Sequence, residues 1–177
     1  MKHNVSPLDV CMLSRKWRKL NRVFLDAICM RNKDDARRLL EMGADVDARE
    51  EEHDQAAITL AAKFGDSEIV ELLISKGAKV DARDDEGRTA LFFAEVGSKV
   101  FASLITAGAD INAKDNEGNS ILMRKVSRSP SVAEVEELLR LGIEPDVRNE
   151  AGESALDLAV SLGLVNVIER LKSLPAG

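Results

Sequence analysis

The chain has 177 residues, 45% hydrophobic and 32% charged, with 11 glycines and 4 prolines, which is typical of a globular protein and excludes collagen-like or disordered chains. Aromatic residues make up only 3% of the chain, so a core must be built from Leu, Val, Ile and Ala, which favours helices. No apolar run approaches the roughly 18 residues of a membrane span, so we expect neither a transmembrane segment nor an export signal.

Charge is distributed unevenly along the chain. Residues 1–38 carry ten Lys and Arg against four Asp and Glu, residues 39–177 carry 15 against 27, and the net charge is -6. We expect an electrically polar molecule, unless the charges only solvate the surface. Cys11 and Cys29 are too few for a disulfide framework or a zinc site, so we expect reduced thiols in a cytoplasmic protein.

The first predicted element is an N-terminal helix. Ser6 suits the N-cap and Pro7 the first helical position. Apolar residues then recur at helical spacing at Leu13, Trp17, Leu20 and Phe24. Residues 1–19 form either a cap over the apolar face of the next unit, or a basic helix around Trp17 that contacts a partner, an anionic membrane or nucleic acid.

From residue 39 onward, one phrase occurs four times. It reads LLEMGADVDAR at 39–49, LLISKGAKVDARD at 72–84, SLITAGADINAKD at 103–115 and LLRLGIEPDVRNE at 138–150. The glycines of this phrase lie 34, 31 and 34 residues apart. A second phrase follows the last three copies, as DDEGRTALFFA, DNEGNSILM and NEAGESALDLA. This period predicts stacked repeat units, with glycine at turns and helix ends.

Each unit contains two short apolar patterns. In the unit at 50–82, small residues at 57–62 predict a first helix and branched residues at 69–74 predict a second. Asp66 suits the N-cap of the second helix, and Gly77 lies just after its end. We therefore predict a helix-turn-helix in each unit and a polar turn, here called a finger, before each first helix.

These phrases resemble the ankyrin repeat, which combines D-x-x-G-x-T-P-L-H-x-A-A with I-V-x-L-L-L-x-x-G-A-D-V-N-A. The match is clearest at GADVDA, GAKVDA and GADINA. The resemblance implies an all-α ankyrin-repeat solenoid with β-turn fingers at 20–177, preceded by the N-terminal helical extension at 1–19. It divides the repeat region into five units, namely an N-cap repeat at 20–49, repeats at 50–82, 83–113 and 114–147, and a C-cap repeat at 148–177.

The chain departs from the family pattern in several places. The Thr-Pro-Leu-His motif reads AAIT, TALF, SILM and SALD, and the loss of Pro and His predicts stability below that of consensus repeats. Asp54 replaces the finger glycine of unit two, which predicts a distorted turn. Unit three is two residues short and unit four carries the extra residues SRSPSV at 127–132, through either tolerated drift or a surface shaped for one partner.

Little in the chain suggests catalysis. His3 and His53 are its only histidines, and it contains no GxGxxG, P-loop, GxSxG or HExxH motif. His53 lies in an acidic run, which is a metal site or, more simply, a solvated charge run. We expect no enzyme activity, metal or cofactor, and the acidic fingers argue against nucleic acid and membrane partners.

In ankyrin repeats, partners dock on a concave face formed by the finger tips and the first helices, so the resemblance implies candidate contact residues here. In the fingers they are Glu52, His53, Gln55, Asp85, Glu86, Arg88, Asn116, Glu117, Asn119, Glu150, Ala151 and Glu153. On the neighbouring helices they are Phe64, Phe92, Phe93, Met123 and Arg124. The alternative for each is an unengaged surface or packing role.

The leading hypothesis is a monomeric, non-catalytic protein–protein interaction module. Its acidic concave face would bind one basic or mixed-charge protein, with the chain acting as inhibitor, immunity factor, adaptor or effector. The alternative is an assembly subunit that stacks through its end caps, with Trp17 in a subunit interface. Leu104, Asp110 and Ile111 also precede Asn112 as in ankyrin repeats modified by the asparaginyl hydroxylases of animal cells, which makes Asn112 a candidate modification site.

Overall fold

The computed structural model describes residues 7–174, with side chains described from Lys16 onward. The predicted N-cap at Ser6 and the side chain of Cys11 lie outside these residues. The helices are Pro7–Cys29 (α1), Lys33–Glu41 (α2), Ala57–Lys63 (α3), Ser67–Ser75 (α4), Ala90–Phe93 (α5), Lys99–Thr106 (α6), Ile121–Val126 (α7), Val132–Arg140 (α8), Ala155–Ser161 (α9) and Val165–Lys172 (α10). Among the described residues, no helix combines the length and the apolar character needed to cross a membrane.

The helices stack in two rows. The inner row is α1, α3, α5, α7 and α9, each in contact with the next, and α2, α4 and α6 form successive contacts in the outer row. Within units, α1 pairs with α2, α3 with α4, α5 with α6, and α9 with α10. The predicted all-α repeat solenoid is therefore confirmed.

The two rows are joined by a continuous apolar core. The small residues Ala57, Ala61 and Ala62 are buried on α3, where they allow neighbouring inner helices to approach closely. Larger side chains fill the space between the rows, and Ile69 and Leu73 of α4 are fully buried. Each such side chain contributes about 1.5–3 kcal/mol of burial free energy, which is why short helices persist in this stack.

Polar side chains fix where most helices begin. Asp66 Oδ1 accepts hydrogen bonds from the N–H groups of Glu68 (3.1 Å) and Ile69 (3.0 Å), as the sequence predicted for this N-cap. Ser131 and Ser154 each form a capping box with the acidic residue three positions later. These caps satisfy backbone donors that would otherwise lack a partner.

The fingers precede the inner helices at residues 49–56, 83–89, 114–120 and 148–154. The first side chain of each turn folds back onto the turn, so that Asp115 Oδ1 accepts hydrogen bonds from the N–H groups of Glu117 (3.0 Å) and Asn119 (2.9 Å). The unit-two finger is one residue longer, since Glu50 N bonds to Gln55 O where Asp115 N bonds to Asn119 O. Asp54 adopts a positive φ of 52° in this longer turn, which therefore differs from the others as the missing glycine predicts.

Unit three is shortened in its inner helix. α5 contains only four residues, against seven in α3. The side chain of Lys125, from α7 of the next unit, lies over the end of α5 and donates a hydrogen bond from Nζ to Ala94 O at 2.6 Å. Lys125 is only 8% exposed, and loss of solvation lowers its pKa from 10.5, with Arg128 acting in the same direction. A buried cation thus takes up a carbonyl that the missing helical turn leaves free.

The extra residues of unit four lie between α7 and α8. Ser129 has a positive φ of 55° in this loop, and Ser131 starts α8. α8 makes its main helix contact with α10 of the next unit, whereas the outer helices of the other units also contact the inner helix of their own unit. The two helices of unit four, which the insertion joins, therefore make little direct contact.

Candidate protein-binding face

The fingers form a hydrogen-bonded ladder along one side of the solenoid. Asp85 N donates to His53 O (3.1 Å), Asn116 N donates to Glu86 O (2.8 Å), and Glu150 N donates to Glu117 O (2.9 Å). Gly87 allows the close approach of two fingers, because a Cβ there would lie 2.2 Å from the Asn116 side chain. The finger tips therefore form a continuous edge, and we call this edge with the adjoining inner helices the finger face.

The candidate residues differ in exposure. Exposed side chains are those of Glu52, His53, Phe64, Asp85, Glu86, Asn116, Glu117, Glu150, Ala151 and Glu153, and half-buried ones are those of Arg88, Phe93 and Arg124. Gln55, Phe92, Asn119 and Met123 are buried. Gln55 and Phe92 pack inside the solenoid, whereas Asn119 and Met123, although buried, line a cavity that opens on the finger face.

The buried candidates have clear structural roles. Phe92 and Met123 occupy the histidine position of the repeat motif, where the side chain packs within the stack instead of facing solvent. Asn119 bonds within its finger to Asp115 Oδ2 (3.2 Å) and accepts from Asn149 Nδ2 of the next finger (2.9 Å). Sequence spacing places these residues near the face, but their burial and contacts show only in the structure.

Several finger charges are already neutralised within the chain. Arg88 forms ion pairs with Asp84 (2.9 Å) and Glu86 (2.7 Å), and its guanidinium lies 4.9 Å from the ring centre of Phe93. Arg49 pairs with Asp54 at 2.8 Å. The negative charge of units two and three is therefore smaller than the count of acidic residues suggests.

The Glu50 carboxylate is also engaged in structure. Loss of solvation raises its pKa, but hydrogen bonds from the backbone N–H groups of Glu52, His53 and Gln55 outweigh this effect and hold the pKa below 4.5. The ionised form of Glu50 therefore closes the unit-two finger.

A cavity of about 370 Å³ opens on the finger face between units four and five. Its walls are the two fingers with helices α7 and α9, and its lining includes Glu117, Glu150, Glu153, Arg124 and Leu158. Among the described residues, no cation lies within 4.0 Å of the three glutamates and no carboxylate lies within 4.0 Å of Arg124. Three acidic finger side chains without an ion pair thus lie around this cavity.

His53 lies at the other end of the ladder. Its ring nitrogens are 4.0 Å from Glu52 Oε1 and from Asp85 Oδ2. The described residues contain no group of three His, Cys, Asp or Glu side chains that could hold a metal ion. The three side chains form a solvated charge cluster.

Phe64 lies away from these residues, at the end of α3. It is 39% exposed and lines a second cavity of about 490 Å³ beside the shortened α5, together with Lys63, Phe93 and Lys99. The structure therefore does not bring Phe64 together with the glutamates of units four and five.

Asn112 bridges two units. Its Oδ1 accepts a hydrogen bond from Glu144 N (2.9 Å), and its Nδ2 donates to Gly142 O (3.2 Å). Hydroxylation of Asn112 stays a prediction, and a modifying enzyme would have to open these two contacts.

Lys125 is a residue that sequence reasoning missed. It stands at the position that Ala61 occupies in unit two, on the buried side of an inner helix. The sequence did contain a signal for it, since a lysine stands at an alanine position of the repeat pattern, next to a shortened unit.

Stacked helix-turn-helix units joined by a ladder of fingers define a repeat solenoid whose exposed edge suits the binding of other macromolecules. The family model of ankyrin repeats (3 copies) matches residues 24–115, which is more than half of the chain, so this chain belongs to the ankyrin-repeat family. Ankyrin repeats are generally protein–protein interaction modules and typically non-catalytic. A search of curated proteins finds no match to the chain.

Proposed function

We propose that this protein is a non-catalytic module that binds one basic or mixed-charge protein through the finger face of units four and five. The observation that carries the proposal is the cavity lined by three glutamates, Glu117, Glu150 and Glu153, which form no ion pair among the described residues. A lysine or arginine of the partner would pair with these carboxylates, and Arg124 would select an acidic group beside it. Leu158 supplies an apolar surface for the partner's side-chain stem.

Binding of this kind regulates by occupancy. A partner surface covered by the finger face is unavailable to other molecules, so the chain would act as an inhibitor, immunity factor, adaptor or effector without an active site of its own. The acidic face would speed encounter with a basic partner and repel nucleic acid. We further propose a cytoplasmic location, which the free thiol of Cys29 supports.

Charge reversal tests the proposal. In affinity capture from the native lysate at low salt, the double variant Glu117→Lys/Glu150→Lys should no longer retain the proteins that the unaltered chain retains. The control is Glu41→Lys/Glu169→Lys, which makes the same change in net charge at exposed positions of α2 and α10. Retention that survives the finger-face change, or that fails equally in both variants, would contradict this binding mode.

A second candidate function is an assembly subunit that stacks through its ends. Its support is an exposed apolar group at the C-terminal end, where Val160, Leu162 and Val165 are 54%, 50% and 62% exposed. Light scattering separates the two functions, since stacking predicts a mass that rises with concentration and the binding module predicts a monomer of 19.3 kDa.

A further inference from the structure

Helix α1 is much longer than its neighbours in the inner row. It contains 23 residues, whereas α3, α5, α7 and α9 contain four to seven. At a rise of about 1.5 Å per residue it spans about 34 Å, so its N-terminal part extends beyond the helices that it packs against. It passes through residue 19 without a break, so the predicted extension and the first helix of unit one are a single helix.

One apolar stripe runs along α1, and only part of it is covered. Phe24 and Ile28 are fully buried against the solenoid, and Leu20 is half-buried. Trp17 lies on the same stripe two turns before Phe24, yet it is 51% exposed. The expected capping role of this segment therefore does not extend to Trp17.

The spacing along the stripe is typical of a helix that packs against another helix. In the sequence, Leu13, Trp17, Leu20 and Phe24 are separated by four, three and four residues, which is the alternation of a coiled-coil seam. The solenoid fills this seam from Phe24 onward. Before that point, Leu20 packs partly against the core, and Trp17 is the described side chain of the seam that stays exposed.

Exposed cations surround the uncovered part of the seam. Lys16, Arg18, Lys19 and Arg22 are all exposed, and residues 15–22 contain no acidic residue. Within the described part of the chain, none of these four takes part in an ion pair of 4.0 Å or less. The segment thus combines an apolar seam with unneutralised positive charge.

We propose that the Trp17 segment of α1 is a second docking site, which takes an acidic amphipathic helix of another protein. The seam supplies apolar contacts at coiled-coil spacing, and the cations pair with carboxylates that flank the partner's apolar stripe. The site is separate from the finger face and takes a partner of the opposite charge.

The same charges disfavour the other occupants. A second copy that paired through α1 would bring like charges together along the seam, which is destabilising. An anionic membrane or a nucleic acid is an extended surface, so it would also meet the acidic remainder of the chain. Salt screens charges over roughly 8 Å. A single helix docked on the basic segment lies mostly within this distance of it, and so it avoids the repulsion from the acidic remainder of the chain.

The intrinsic fluorescence of the protein reports on this site directly, because Trp17 is the only tryptophan and the chain has no tyrosine. The probe is a synthetic peptide of about 18 residues with Leu at alternating three- and four-residue spacing and Glu at most other positions. Saturable binding should shift the Trp17 emission to shorter wavelength and protect it from acrylamide quenching. A peptide of the same composition in scrambled order is the control for charge alone.

Matched variants locate the site. Lys16→Glu/Lys19→Glu should weaken peptide binding about tenfold or more, whereas Lys76→Glu/Lys172→Glu, an equal change in net charge at exposed positions elsewhere, should change it less than about twofold. Trp17 stays in both variants as the reporter. Glu117→Lys/Glu150→Lys should leave the peptide-induced shift intact, so the two proposed sites fail independently.

Four results would overturn the proposal. The first is that the designed peptide does not shift the Trp17 emission, and the second is that the scrambled peptide shifts it equally. The third is a larger emission shift with phosphatidylserine-containing vesicles or with duplex DNA. The fourth is a shift that rises with the concentration of the protein alone, which would make a second copy the occupant.

Discussion

At the scale of single residues, the altered repeat motif leaves polar groups without partners. The Oγ1 atoms of Thr59 and Thr89 are buried and have no hydrogen-bond partner among the described residues. Thr59 stands at the histidine position of its unit, and Thr89 stands at the threonine position of a unit whose histidine position holds Phe92. Burying an unpaired hydroxyl costs free energy, which supports the stability below consensus that the sequence predicts.

Replacing these threonines by an isosteric apolar residue should therefore stabilise the protein. Thr59→Val and Thr89→Val are each expected to raise the free energy of unfolding by about 1 kcal/mol, measured by urea denaturation. The control is Thr106→Val, whose exposed hydroxyl donates to Ala102 O at 2.8 Å and whose removal should bring no gain. Destabilisation by both buried changes would show that the two hydroxyls have partners in solution.

At the scale of elements, the shortened α5 depends on a side chain from the next unit. The buried side chain of Lys125 reaches the C-cap residue of α5 and donates a hydrogen bond to the carbonyl of Ala94 there. Around its ammonium group, Arg128 lowers the pKa while Glu95 and Glu134 raise it, but the loss of solvation is the largest effect. Unit three is therefore stabilised by a charged group that itself costs solvation free energy.

This arrangement predicts how stability depends on pH. Because the folded-state pKa of Lys125 lies below 10.5, the unfolded chain binds more protons between these two values, and stability rises with pH there. The stability difference between the unaltered protein and Lys125→Met should move in favour of the unaltered protein from pH 7 to about pH 10. The neutral amine can still donate to Ala94 O.

The control for this measurement is Lys76→Met, at an exposed position at the end of α4. Its stability difference from the unaltered protein should be nearly constant over the same pH range. A Lys125 profile parallel to that of Lys76 would mean that Lys125 is solvated in the folded protein.

At the scale of the whole molecule, burial is concentrated in the middle of the stack. Six of the seven residues of α3 are buried, whereas α9 buries only Ala155 and Ala159. Within the described residues, α9 and α10 contact the helices of one neighbouring unit only, and the stability of a solenoid is the sum of unit and interface contributions. The C-terminal units should therefore open at a lower free energy than units two and three.

Hydrogen exchange followed by mass spectrometry measures this gradient. Backbone amides of α9 and α10 should exchange about tenfold or more faster than those of α3 and α4 under native conditions. Equal protection throughout would instead show that the stack opens as one cooperative unit.

The prediction of the fold succeeded where the sequence repeats itself. The glycine-containing phrases marked helix ends and turns, and the predicted cap at Asp66 is a local feature that a few neighbouring residues specify. The site was harder to predict, because Phe92 and Met123 stand one helical turn from exposed positions yet are buried. Which side of an inner helix faces the next unit depends on contacts more than thirty residues away in the chain.

The sequence by itself determined the ankyrin-repeat class of the protein and the acidic composition of its fingers, because these depend on local pattern and composition. Only the tertiary structure decided which charges remain free. Arg88 pairs with Glu86, while Glu117, Glu150 and Glu153 lie around a cavity and form no ion pair within 4.0 Å among the described residues. The stacking of units also set the exposure of Trp17, because a side chain is buried only where a neighbouring element reaches it.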